Sequence, residues 1–178
     1  MSAESRRTRI ILALVIAALA IATFVLAQLN IQGTRQITES TDEYFEIIVA
    51  NDPTASPIQV WRSDIEEIGL REFSVVMNTS TGLSEQMVCE GVSLKKLLDH
   101  RGIPFSRDNA VVVVGEDGYH ARYTGLEIES EAIYVVINVA GEPLTSRRNG
   151  GMGPFMTVVR REQFAQRWCK YLIEMRVE

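Results

Sequence analysis

The chain has 178 residues, 46% hydrophobic and 23% charged, with 12 Gly, 5 Pro and a formal net charge of −5. That is a globular composition, and runs such as Ala110 to Val114 and Ile133 to Val139 rule out disorder for most of the chain. The start is different: residues 10–29 contain only Thr23 and Gln28 as polar interruptions, and twenty residues at about 1.5 Å each cover the roughly 30 Å hydrocarbon layer of a bilayer. This argues against a purely soluble cytoplasmic protein, and the overall acidity argues against nucleic acid as a partner. The 134 residues after position 44 make one domain, not two.

Arg6, Arg7 and Arg9 precede the apolar run, and Glu39, Asp42, Glu43 and Glu46 follow it. Lys/Arg asymmetry of this kind places the N-terminus in the cytoplasm and the domain outside. The expected organisation is a basic cytoplasmic tail over 1–9, a transmembrane anchor over 10–29, a polar linker over 30–44 and a periplasmic bacterial domain over 45–178, with the membrane and a membrane or periplasmic protein as partners. Val25-Leu26-Ala27 before Gln28 looks like a signal-peptidase site, but the apolar core is long for a cleaved signal. Ser5-Arg6-Arg7 hints at twin-arginine export, although Arg9 stands where that signal turns apolar.

In the domain, Phe45 to Ala50 opens the folded part, and Asn51-Asp52-Pro53 with Pro57 marks a turn. Ser63-Asp64-Ile65-Glu66 matches a capping box, with Gly69 as the stop of a short helix. Phe73 to Met77 reads as a strand, Thr79 to Ser84 as a loop and Gln86 to Cys89 as a second extended run. Ser93 then caps a helix whose Leu94, Leu97 and Leu98 form a core stripe, closed by Gly102 and Pro104. Ala110 to Val114 and Tyr119 to Thr124 form a hairpin about Glu116-Asp117-Gly118. Ile133 to Val139 is a buried strand turned by Gly141-Glu142-Pro143. Phe155 to Val159 reads as a strand, Arg161 to Tyr171 as a helix and Leu172 to Val177 as a last strand. The order is α+β.

Positive charge collects late: residues 147–178 carry seven Lys/Arg and three acids, against eight and nineteen over 35–142. Arg147, Arg148, Gly150, Gly151 and Gly153 make the most site-like stretch, since loop N–H groups beside Arg forks suit a phosphate, a pterin phosphate or another oxyanion. The same residues also read as a loop with solvated arginines. His100 belongs to a helix C-terminus, where an imidazolium meets the dipole. His120 shares a strand face with Arg122, either at the surface or beside a ligand. Trp61 and Trp168 read as packing anchors, and Glu66, Glu67, Glu129 and Glu131 as solvated carboxylates. Cys89 and Cys169 either pair as a disulfide or serve as small buried hydrophobes. No HExxH, CxxC, P-loop or GxSxG pattern is present, so no catalytic or metal residue is assigned.

Gly91-Val92-Ser93-Leu94 with Leu97-Leu98, then Asp117-Gly118-Tyr119, Gly141-Glu142-Pro143-Leu144 and Gly150 to Pro154 fall in an order that resembles the sulfite-oxidase-type molybdopterin-binding domain, over roughly Phe45 to Val177. The resemblance implies a compact mixed-sheet α+β fold and a molybdopterin cofactor, and it gives Lys170 the place of the lysine in a closing Trp-x-Lys segment. It also implies a metal-ligating cysteine about a dozen residues before Gly91, where this chain has Met77-Asn78-Thr79-Ser80. Cys89 is too close to Gly91 to take that place, and Phe155-Met156 stand where an arginine is common. Two readings follow. One is a domain without the metal–thiolate bond that binds a small anion or pterin-like ligand, or a protein, with His120, Arg147, Arg148, Gly150, Gly151, Gly153 and Lys170 as ligand-binding residues. The other is a molybdenum oxidoreductase or its electron-transfer subunit, using Cys89 or no protein thiolate.

Overall fold

The computed structural model describes residues 43–50, 56–79 and 81–178. The expected anchor over 10–29, nearly all of the linker, the Asn51-Asp52-Pro53 turn and Ser80 lie outside the described residues. Among those described, no helix is long and apolar enough to cross a membrane.

Among the described residues, two five-stranded sheets enclose the core. Sheet A runs β2 (Ile58–Trp61), β1 (Tyr44–Val49), β10 (Leu172–Val177), β5 (Ala110–Gly115), β6 (His120–Thr124), with β1 parallel to β10 and the other pairs antiparallel. Sheet B runs β3 (Arg71–Asn78), β4 (Ser84–Ser93), β7 (Ile133–Val139), β8 (Glu142–Pro143), and β9 (Met156–Val159) also pairs with β7. Strand periodicity accounts for the half-buried members: Phe73 and Val75 of β3 turn inward while Ser74 and Val76 face out. β9 throughout and β7 over its first five residues are buried on successive positions because both their faces are covered. Phe45 of β1 meets Phe155 edge-on at 5.1 Å, joining sheet A to the segment that leads into sheet B.

Helices fill the ends. α1 (Arg62–Ile68) starts one residue before the expected Ser63 cap. Asp64, not Glu66, reaches back, accepting the Trp61 N–H at 2.7 Å, and Arg62 donates to the Ile137 carbonyl at 3.2 Å, which draws the first turn onto sheet B. α2 (Leu94–His100) is capped by Ser93, whose hydroxyl accepts the Lys96 N–H at 3.3 Å, and its Leu94, Leu97 and Leu98 are buried. α3 (Gly125–Glu129) is a single turn closed by a capping box between Thr124 and Glu127.

The expected helix over Arg161 to Tyr171 does not form. In its place stand a 3-10 turn at Ala165–Arg167 and a β-bridge between Cys169 and Thr157. Its amides serve tertiary partners: Cys169 exchanges both backbone bonds with Thr157, and Tyr171 N–H donates to the Met152 carbonyl at 2.8 Å. Cys89 and Cys169 are free and buried, which excludes the disulfide and leaves the small-hydrophobe reading.

Candidate functional site

A cleft of about 250 Å³ opens where β3 ends. It is lined by Met77, Asn78 and Thr79, by Asp117 of the β5–β6 turn, and by Ala165, Gln166, Trp168 and Lys170 of the segment before β10. Tyr119 ties two of these walls together by donating its hydroxyl to the Gln166 carbonyl. Lys170 and Met77-Asn78-Thr79, the place where the resemblance implies a thiolate that this chain lacks, line the same cleft.

Lys170 is held by its neighbours on the chain. Cys169 before it is locked to Thr157, and Tyr171 after it has a left-handed backbone with φ of 56°. That conformation costs a bulky residue about 1–3 kcal/mol and persists only when its surroundings over-determine it. Here the Tyr171 N–H is bonded to Met152, its carbonyl accepts the Glu116 N–H at 2.9 Å, and the Arg147 guanidinium lies 5.5 Å from the centre of its ring.

The glycine loop is part of this support. Its N–H groups are engaged at home: Asn149 and Gly151 donate to Ser146, Gly150 to Arg147 and Gly153 to Thr145. A Cβ on Gly151 would stand 2.2 Å from the Thr145 carbonyl oxygen, and one on Gly153, whose φ is 96°, would stand 2.5 Å from the Tyr171 Cα. Thus Gly150, Gly151 and Gly153 each have a reason in turn closure. Arg147 and Arg148 sit exposed in a 3-10 turn, and His120 is exposed on β6; none of the three lines the cleft.

Behind the cleft lies a buried polar chain. The Tyr123 hydroxyl is 2.7 Å from Thr157 Oγ1 and 2.6 Å from the Arg167 carbonyl, linking β6 of sheet A to β9 of sheet B. Arg167 binds Glu127 at 2.6 Å and also Glu162, and its guanidinium lies 5.8 Å from the Tyr123 ring centre. Burial pushes the Tyr123 phenol well above its ordinary value, so it stays protonated. The hydrogen bond from Arg167 holds the Glu127 carboxyl down at about 2. Glu127 therefore keeps its charge to lower pH in the folded chain than in the unfolded one. The stabilisation is complete above the ordinary value of 4.5 and is lost as pH falls from there through 2. Since the pair is about one-third exposed, the expected loss is at most about 1 kcal/mol, and Glu127→Gln should flatten the acid limb of a thermal-midpoint titration over that window.

The donor set does not fit a thiolate-bound metal. Neither cysteine lines the cleft, and burial raises the Cys89 thiol to about 11 and the Cys169 thiol to about 12. Burial thus disfavours the thiolate that metal ligation needs. What the lining supplies is one cation, amides and a hydroxyl from Asn78, Gln166 and Thr79, and an indole wall. Trp168 is 5% exposed, and its Nε1 has no partner among the described residues, a buried donor of the kind that calls for an acceptor. Asp117 adds one carboxylate to the same lining.

The described domain is similar in structure to the sulfane dehydrogenase SoxCD from Paracoccus pantotrophus, with a TM-score of 0.62 and 14% identity over 76% of this chain and 38% of that one. The fold is distantly sulfite-oxidase-like. The chain thus spans little more than a third of that protein's length. No protein-family model matches the chain, and no curated protein matches it.

Asn78, Thr79, Asp117, Gln166 and Trp168 were not selected from sequence as ligand contacts. Asp117 was legible only as a turn residue and Trp168 only as a packing anchor; their meeting with Lys170 depends on the irregular path of 160–171.

Proposed function

We propose that this chain is a membrane-tethered, extracytoplasmic binding domain that takes a small anion or pterin-like ligand in the Lys170 cleft without a metal–thiolate bond. The observation that carries this is the position of Lys170 beside Met77-Asn78-Thr79, with both thiols buried elsewhere. Lys170 would supply the charge, Asn78 and Thr79 the orienting donors, and Trp168 a flat wall for a ring. At about 250 Å³ the cleft is slightly below the roughly 300–1,000 Å³ usual for drug-sized ligands. This suits an oxyanion or one end of a larger molecule. The tether and its orientation rest on the apolar stretch 10–29 and its basic flank. Arg147 and Arg148 enter the reading as outer cations, and His120 as a neighbour of the ligand's approach.

The test is calorimetric titration of the purified full chain with inorganic phosphate, sulfate and a carboxypterin. Lys170→Ala should weaken binding at least tenfold, and Arg147→Ala/Arg148→Ala should weaken it less. Unchanged affinity in Lys170→Ala removes the cleft from the reading. The molybdenum-oxidoreductase alternative draws on the resemblance in sequence and fold. Near-stoichiometric molybdenum in protein taken from its native membrane, lost in Cys89→Ser, would establish it in place of the binding domain.

A further inference from the structure

A second cleft, of about 460 Å³, lies along β3 and is bounded by Ser74, Val76 and Gln86 on one side and by Arg160, Arg161 and Gln163 on the other. β3 is an end strand of its sheet: it pairs with β4 over all eight residues without a bulge, and no other described strand pairs with it. Counting from the Thr79 N–H bond to the Leu83 carbonyl, the alternation of antiparallel pairs directs the backbone groups of Met77, Val75 and Phe73 to β4 and those of Val76, Ser74 and Glu72 to the open edge. Proteins usually blunt such edges with proline, a bulge, a short strand, charge or a covering loop; here β3 has no proline or bulge and runs eight residues, Glu72 is the charge directed to the edge, and residues 160–163 stand across the cleft from it.

The edge carries Glu72, Ser74 and Val76 outward, with apolar neighbours toward the hairpin turn, and its far wall is cationic. Val76 (46% exposed) and Val88 are outward neighbours on the hairpin, Leu83 (70% exposed) stands at its turn, and Phe164 follows Gln163, whose carbonyl accepts a bond from Asn78 at 2.6 Å. Glu162 is the one carboxylate in the lining, and it is engaged by Arg167. Arg160 lies over the rings of Phe73 and Tyr134 at 5.0 and 5.4 Å, and neither it nor Arg161 has an ion-pair partner among the described residues.

We infer that the free edge of β3 receives an extended, acidic segment of a partner protein by strand addition, its backbone pairing with Glu72, Ser74 and Val76 and its carboxylates meeting Arg160 and Arg161. Main-chain bonds supply affinity in this mode and side chains at alternate positions supply selectivity. A second copy of this chain fits less well, because two β3 edges paired about a twofold axis would bring the arginines of both copies to one seam.

Amide hydrogen exchange on the full-length chain in a mild detergent tests this. The probe is a blocked eight-residue peptide alternating valine or threonine with glutamate, and the control replaces each glutamate by lysine. The acidic peptide should slow exchange at Glu72, Ser74 and Val76 at least tenfold, Val76→Pro should abolish that protection at Glu72 and Ser74, and Arg161→Glu should weaken binding at least tenfold. Arg161 is exposed and makes no described hydrogen bond, so its variant tests the idea even where Val76→Pro unfolds. Absence of protection at β3, equal binding of the lysine peptide, unchanged binding in Arg161→Glu, or protection that rises with chain concentration and no peptide would overturn it.

Discussion

Phe155→Ala is expected to lower stability by about 3–5 kcal/mol, the cost of deleting a large aromatic side chain from a site that cannot collapse. Phe155 is fully buried, meets Phe45 at 5.1 Å with planes at 72°, and sits on a backbone whose carbonyl accepts the Leu172 N–H at 3.0 Å. Sheet A contributes Phe45 and Leu172, and Phe155 leads directly into β9 of sheet B. Truncation therefore opens a cavity between the two sheets, with strands on both sides too firmly paired to move in. For a domain of this size the thermal midpoint should fall by roughly 10–20 °C, read by circular dichroism on the full chain. A fall of less than about 3 °C would mean that the sheets do not meet as described.

Gly91→Ala is expected to be the other severe change, for the opposite reason. A Cβ at this position would stand 2.1 Å from the Val135 carbonyl oxygen and 2.8 Å from both the Val135 carbonyl carbon and the Val136 Cα. All three are backbone atoms of the central strand of sheet B and cannot turn aside. The clash falls where the β4–β7 register shifts between Glu90 and Gly91, so relief requires re-registering the pair. Overpacking of this kind costs at least about 1–3 kcal/mol, and the outcome to look for is loss of soluble folded protein or a broadened, earlier melt. A variant that melts with the parent would show that β4 and β7 do not approach so closely.

Gly91 also shows what a sequence can carry. Gly91-Val92-Ser93-Leu94 marks the close passage of two backbones and the start of α2; the second was legible in the Ser93 cap and the Leu94, Leu97, Leu98 stripe, whereas the first was not, because nothing along the chain names the strand that Gly91 meets. Strands with clean alternation or unbroken branched residues were legible for the same reason, since burial on one face or two writes itself into every second or every residue. β2 escaped because four residues between Pro57 and α1 are too few to show a period. α3 escaped although Thr124 and Glu127 spell its capping box. The segment 161–171 misled because Phe164 and Trp168 are spaced as on a helix. In the folded chain Phe164 is exposed, Trp168 lies against the Lys170 cleft, and hydrogen bonds to residues 152 and 157 override the local pattern. The candidate site was half legible on that account. Lys170 and the place of the absent thiolate could be read along the chain, but the wall formed by Asp117, Gln166 and Trp168 exists only through that irregular segment.

The central place of β10 in sheet A bears on the order of assembly during synthesis. Its parallel pairing with β1, Glu46 opposite Glu174 and Val49 opposite Val177, joins the first described strand to the last. A ribosome has therefore made β1, β2, β5 and β6 long before the strand that unites them leaves the exit tunnel, whereas every strand of sheet B lies between residues 71 and 159. Closure of sheet A is a late event across a long loop, which is slow. Until it happens, the nascent chain carries apolar strands with open flanks, the form in which chaperones and proteases compete for it.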